Sequence, residues 1–567
     1  MAPPPELRTW INLQEVTGGP RTTKEDFRGA ISQFPTSGWL ITVARLSILF
    51  KYGMDANTVA SPESTMHFAP EMFHPALRNR VSQLASTGRP MFFQGQLRYL
   101  AAEAMRLDPQ PPADGRIIPD TILGPILLGA GELLYRPHVQ VTEDLEIMAN
   151  IVADFLPTYE IDSMNDGFIL FLRCYIYLNV IIPRLPVQLK TFDVWECFEK
   201  ALGFPLKLYS QFLYAFSMHA LTERSDLQPN AVPADGGLHI SWFSKTAMAP
   251  DQISAMFATV CCSLEDFPEK KTKALHGFAD FEYLKDHPFF RVEDRLYLMD
   301  YEFGCAKLES GALWRTAFSM PEKKRLAYFG FWGEVFEEYV HWLFEVYANK
   351  EKNVYYPRPI YPKDKDKKPI CDAIVICGAT AVLIEAKLGT CAADVRYSGD
   401  HTKFRQYLED KLVTGTDRPI GVAQLITATR NLKSLLPDEL PEYLAGVIEL
   451  MPLIITKDDI GSSWMTNAYL NVRFQQQRTD EEKSKGGVSP LVSMSVGTLE
   501  RAIAPLQEMG LSDILRDRIT EEPFLGRPFE AGSSYVHRGM PRKVFKHIEI
   551  MHEMTTELTT DFKMVEE

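Results

Sequence analysis

The chain has 567 residues, which at roughly 150 residues per domain is room for about three or four units. Hydrophobic residues make up 46% and charged residues 24%, an ordinary globular composition that excludes a disordered, collagen-like or disulfide-scaffold protein. With 74 acidic against 60 basic side chains the formal net charge is −14, so a polyanionic partner has to be met by a local patch and not by the surface as a whole.

The eight cysteines form no C-x-x-C pair and have no histidine at zinc-ligand spacing. Neither a zinc knuckle nor a disulfide framework is expected, and a reducing compartment is the simpler assignment. Residues Met1 to Glu6 lack the charged start and apolar stretch of a secretory signal. The longest apolar stretch, Phe168 to Pro183, is interrupted by Arg173 and Asn179 and is shorter than the roughly 20 residues a bilayer needs. A soluble cytoplasmic protein without membrane contact is the expectation.

Along the chain, apolar residues recur at three- and four-residue intervals over 37–52, 120–135, 145–156 and 167–182, which predicts helices. Turn-rich segments at Pro109, Pro111, Pro112 and Gly115, and again over 225–237, mark sub-boundaries near 110 and 230. Near residue 288 the texture changes. Phe289 to Val292 and Arg295 to Leu298, separated by Glu293 and Asp294, predict a β-hairpin. A helix over 326–348 follows, then two apolar strands, helices over 401–413 and 422–436, and strands at 453–455 and 491–496. Such alternation is the signature of a buried sheet flanked by helices. The expected organisation is a mostly helical N-terminal region over 1–285, an α/β domain with a central mixed sheet over 286–520, and a C-terminal tail over 521–567.

The two apolar strands carry the chemistry. Residues 371–377 and 380–387 flank Gly378-Ala379, and glycine at the first position of a two-residue loop suits a type II′ hairpin turn. Counting outward from that turn places Asp372 opposite Glu385. Side chains alternate faces along a strand, so Lys387 emerges on the same face as both acids. Directly opposed Cβ atoms lie about 4.5–5.5 Å apart. Two carboxylates at that distance repel unless a cation sits between them, and a hard divalent ion such as Mg²⁺ suits a few carboxylates and several waters. With such an ion the group has the parts for phosphodiester hydrolysis, Lys387 orienting or deprotonating the water or stabilising the transition state. E-x-K by itself is unspecific: it also occurs at Glu269, Glu322, Glu409 and Glu481, all in charged contexts. Only Glu385 lies within an apolar strand with an aspartate at hairpin distance. A surface hairpin end with an incidental salt bridge is the bland alternative.

Asp372, Glu385 and Lys387 resemble the active-site pattern of the PD-(D/E)xK nuclease superfamily, over about residues 325–500. The resemblance implies a restriction-endonuclease-like core, with Asp372 and Glu385 as metal-binding acids and Lys387 as the third catalytic residue. The proline departs from the pattern, since Pro369 stands three residues before the aspartate and not beside it. On the preceding helix, Trp332, Val335, Phe336, Tyr339 and Leu343 form an apolar face, with Glu337 and Glu338 on its borders and Glu334 nearly opposite. Glu337 matches the glutamate that the family's first core helix commonly offers to the metal, and an ordinary solvated face is the alternative. Gln424, with Gln406 as the other choice, matches an auxiliary glutamine. A loop carrying Lys363, Lys365, Lys367 and Lys368, preceded by Tyr355, Tyr356 and Arg358, suits a phosphate backbone.

The expected function is therefore a nuclease using Mg²⁺, with Mn²⁺ able to substitute. DNA is favoured over RNA as substrate, endonucleolytic cleavage is favoured, and the resemblance suggests bacterial anti-phage defence. The competing expectation is a catalytically inactive nucleic-acid-binding or scaffold subunit that keeps the nuclease-like fold. Homo-oligomerisation and a defence-system partner protein both stay open, and the first 280 residues resemble no family.

Overall fold

The computed structural model describes residues 11–52, 69–87, 91–107, 118–134, 167–225, 237–245, 248–263, 281–360, 369–389, 391–396, 400–415, 419–434, 441–516, 519 and 545–560. The expected helix over 145–156 and the proline-rich loop near 110 lie outside these residues. So does the tail apart from one helix over 545–560.

The N-terminal region is mainly helical: α1 (Thr36–Tyr52), α2 (Gln94–Leu107), α3 (Leu123–Leu134), α4 (Gly167–Ile176) and α5 (Leu206–Ser225) are its longer helices. Helix α4 continues through a π-helical turn, Tyr177–Ile181, so the expected helix over 167–182 is present with a widened turn inside it. None of the described helices is long and apolar enough to cross a membrane. The predicted hairpin forms as β3 (Phe289–Val292) and β4 (Arg295–Leu298), with Glu293 turning at a φ of 52°. It pairs with the upstream strands β1 (Leu238–His239) and β2 (Cys261–Ser263) in the order β1-β4-β3-β2 and makes no ladder with the larger sheet.

That larger sheet begins after α6 (Glu322–Tyr347). It contains β5 (Val354–Pro357), β6 (Ala373–Cys377), β7 (Thr380–Lys387), β8 (Glu449–Thr456) and β9 (Val492–Ser495), in that spatial order. The β5–β6 and β6–β7 pairs are antiparallel, whereas β7–β8 and β8–β9 are parallel, so the sheet is mixed. Helices α7 (His401–Leu408), α8 (Gly421–Ser434) and α9 (Trp464–Gln477) fall between β7 and β9 in sequence, and α10 (Val496–Leu506) follows β9.

The strands are greasy because both faces are covered. On one face Val335, Phe336 and Tyr339 of α6 share a core with Val375, Val382 and Ile384. On the other, Ile374 and Leu383 pack with Phe404 of α7 and Leu425 of α8. Burying one such side chain completely is worth about 1.5–3 kcal/mol. The first of these cores also takes in Phe171, Tyr177, Tyr209 and Phe212, so apolar packing runs without a break from the N-terminal helices to the sheet.

Candidate active site

The hairpin of β6 and β7 forms in the register read from its turn. Cys377 pairs with Thr380 and Ala373 with Ile384, and the next step outward sets Asp372 against Glu385. Gly378 takes a φ of 60° while Ala379 does not turn positive, which is the II′ pattern. Asp372 precedes β6 and is held from two sides. Arg358 N–H donates to its carbonyl at 2.9 Å, and Ala386 N–H donates to Oδ2 at 2.8 Å.

Glu385 and Lys387 close β7 and share the parity of Ala381 and Leu383, so they look toward the α7 and α8 side of the sheet. Lys387 Nζ donates to Glu385 Oε2 at 2.5 Å and lies 3.5 Å from Asp372 Oδ2. The three expected residues thus converge. Their exposure differs: the Glu385 side chain is 1% exposed, whereas Asp372 and Lys387 each keep 18%.

Burial pushes the Glu385 carboxyl up to about 8, Lys387 pulling it down and Asp372 adding to the rise. Burial by itself would lower the Lys387 ammonium, but Glu385 and Asp372 more than offset it and hold it above its ordinary value. Lys387 is therefore a fixed cation. The raised value argues against its serving as the base that deprotonates a water, and leaves it the stabilisation of negative charge.

Glu337 does not join this group. It lies on α6, which packs against the opposite face of the sheet, and its Oε1 accepts from Arg358 Nε at 2.6 Å with His341 Nε2 3.3 Å away. Among the described residues no three acidic, histidine or cysteine side chains are gathered closely enough to hold a metal, so the expected ligand set of Asp372, Glu385 and Glu337 is not assembled. Asp372 and Glu385 remain a donor pair that fits a hard cation in kind. Both offer carboxylate oxygens, and burial together with the neighbouring Asp372 holds the deeper one above its ordinary value.

Gln424 is likewise committed locally, its Oε1 accepting from Gly421 N–H at 2.9 Å in the first turn of α8. Gln406 Nε2 donates to Asp410 Oδ1 at 2.8 Å. Lys363, Lys365, Lys367 and Lys368 lie outside the described residues. Tyr355 and Tyr356 are taken up by packing: Tyr355 hydrogen-bonds His341 and stacks on Phe344, while Tyr356 stacks on Tyr443 with ring centroids 3.9 Å apart.

Sequence reasoning missed β5 and the role of Arg358. The apolar and aromatic run Val354 to Tyr356 was the available signal, obscured by Pro357 and Pro359 on either side of the arginine. Comparison of the chain with protein-family models, with curated proteins and with solved structures found no match in any of the three.

Proposed function

We propose that the open end of the β6–β7 hairpin is the catalytic centre of a metal-dependent nuclease, most consistent with a DNA endonuclease of the PD-(D/E)xK kind. The observation that carries this reading is the convergence of Asp372, Glu385 and Lys387 at the end of a mixed sheet, two of them partly exposed and the third buried. Mg²⁺ or Mn²⁺ held by Asp372 and Glu385 would supply Lewis-acid polarisation of a phosphodiester and a water of lowered pKa. Asp372 is kept in place by the Ala386 N–H, which donates to its Oδ2. Lys387, cationic at every working pH, offsets charge on a phosphoryl oxygen. A cation held there would require Glu385 in its ionised form, its proton released to solvent. A role in bacterial defence against phage rests on the resemblance alone.

A second reading is favoured by one contact. Lys387 already bridges both acids, as a structural ion triad in a non-catalytic nucleic-acid-binding or scaffold subunit would. Incubating purified protein with duplex DNA, single strands and RNA decides between them. The nuclease reading expects cleavage with Mg²⁺ or Mn²⁺ that is lost with chelator and in Asp372→Ala, Glu385→Ala and Lys387→Ala. Equal cleavage by wild type and all three variants, or none by wild type on any substrate, overturns it.

A further inference from the structure

Next to the hairpin end stands a second ion cluster to which the proposed chemistry gives no part. Glu334, Glu337 and Glu338 of α6 all face Arg358, whose Nε, Nη2 and Nη1 lie 2.6 Å from Glu337, 3.5 Å from Glu334 and 3.9 Å from Glu338. Three carboxylates surround one guanidinium. The helix acids and the hairpin acids also share one field: burial raises the Glu334 carboxyl above its usual range, Glu337 and Asp372 raise it further, and Arg358 works against them.

Arg358 is tied to the hairpin through its main chain, its N–H donating to the Asp372 carbonyl at 2.9 Å. It stands between Pro357 and Pro359, where a residue preceding proline is normally extended, yet it takes a φ of 41°. A left-handed arginine is an unfavourable conformation that persists only where its surroundings hold it, and the three carboxylates supply that hold. The side chain remains 39% exposed, so the guanidinium and its glutamates are reached by solvent.

We propose that Arg358 is a positioning residue for substrate, offsetting part of the charge of the α6 carboxylates that would otherwise repel a nucleic-acid backbone approaching Asp372, Glu385 and Lys387. This rests on the nuclease reading and adds a means of approach to it. A chain of net charge −14 needs one, because every uncompensated carboxylate beside the site opposes a polyanion. Arg358 stays on the glutamates while substrate binds.

The test uses the full chain carrying Glu385→Gln, to suppress cleavage, and follows binding of a fluorescently labelled DNA duplex by anisotropy with Mg²⁺ present at several salt concentrations. Adding Arg358→Gln should weaken binding about tenfold at low salt, with the difference shrinking as salt screens it. Arg358→Lys should fall between the two. Adding Glu334→Gln and Glu337→Gln to Arg358→Gln should recover most of the affinity, because the repelling charges are then gone. Melting midpoints of the same proteins separate charge from folding. Binding lost equally at all salt concentrations together with a lowered midpoint would show a structural role and overturn the proposal. Unchanged binding by Arg358→Gln overturns it too. If the otherwise unaltered chain cuts DNA and Arg358→Gln cuts as fast, the proposal fails and the nuclease reading stands. If it neither binds nor cuts, both fail together.

Discussion

Two ion clusters built from the same parts lie close together and behave in opposite ways. Arg173 of α4 holds Glu500 of α10 through Nε at 2.7 Å and Nη2 at 2.6 Å, and its Nη1 lies 3.3 Å from Glu309. Glu309 in turn lies 3.6 Å from Lys457, and Tyr339 donates to Glu500 at 2.7 Å. Two acids meet two cations, and all four side chains are 4–5% exposed. Burial by itself would raise Glu309, but Lys457 and Arg173 outweigh it and hold the carboxyl below its ordinary range. At the hairpin end, two acids meet one cation and the buried acid is pushed up to about 8. The two are joined through the main chain, Lys457 N–H donating to the Lys387 carbonyl at 3.1 Å. Burial alone does not set a carboxyl's state; the local count of counter-charges does. Where cations match acids the buried carboxyl is held down, and where they do not burial prevails.

The largest effect should come from unbalancing the complete network. Arg173→Met leaves Glu309 and Glu500 buried without their shared partner, and breaking a buried pair in this way costs about 3–5 kcal/mol. A urea or thermal melt should show that loss, or the protein should fail to accumulate folded. A cost under about 1 kcal/mol would mean the network is not a structural tie and the comparison with the hairpin end collapses.

Completing the other cluster should act in the opposite direction. Mg²⁺ at a hundred times its dissociation constant should stabilise the wild type by about 2.7 kcal/mol, and neither Asp372→Ala nor Glu385→Gln should respond. An equal gain in both variants would place the cation elsewhere.

Without metal, Glu385→Gln should raise stability while abolishing hydrolysis. Relief of burial outweighs the lost Lys387 bond by an amount on the order of 1–2 kcal/mol at pH 8. The sign follows from protons. Between the ordinary value of 4.5 and about 8, the folded chain holds a proton on Glu385 that the unfolded chain has released. Stability in chelator therefore falls as pH rises through that window, and the slope is absent in Glu385→Gln. Denaturant melts at pH 5, 6.5 and 8.5 check it. Parallel pH profiles in the two proteins would remove the charge deficit on which the site assignment rests.

What was legible in the sequence was local. The turn at Gly378-Ala379 and the alternation on either side of it suffice to oppose Asp372 and Glu385, because a two-residue loop leaves one register. The helices over 167–182 and 401–413 were legible as apolar periodicity, though not the π turns at Tyr177–Ile181 and Glu409–Val413 that lie within them. The fate of Glu337 depends on β5, whose pairing with β6 carries Arg358 to the helix, and Pro357 and Pro359 hide that strand. The balanced network is further out of reach, since Arg173 and Glu500 stand 327 positions apart and no periodicity links them. Local register placed the reactive groups; non-local packing decided which of their neighbours were already spoken for.

The smallest effect tests how firmly that register is held. Gly378 has a φ of 60°, and a Cβ added there would meet nothing within 4 Å, so Gly378→Ala should cost only the left-handed conformation, about 1 kcal/mol. Hydrolysis should stay within about twofold of wild type, because β5 and β8 clamp β6 and β7 from outside and keep Asp372 opposite Glu385 whatever the turn does. A denaturant melt and a cleavage rate on the same preparation give both numbers. Loss of activity at so small a stability cost would mean that the turn, and not the five-stranded ladder, fixes the alignment of the two acids, and the site would then depend on an exposed pair of residues.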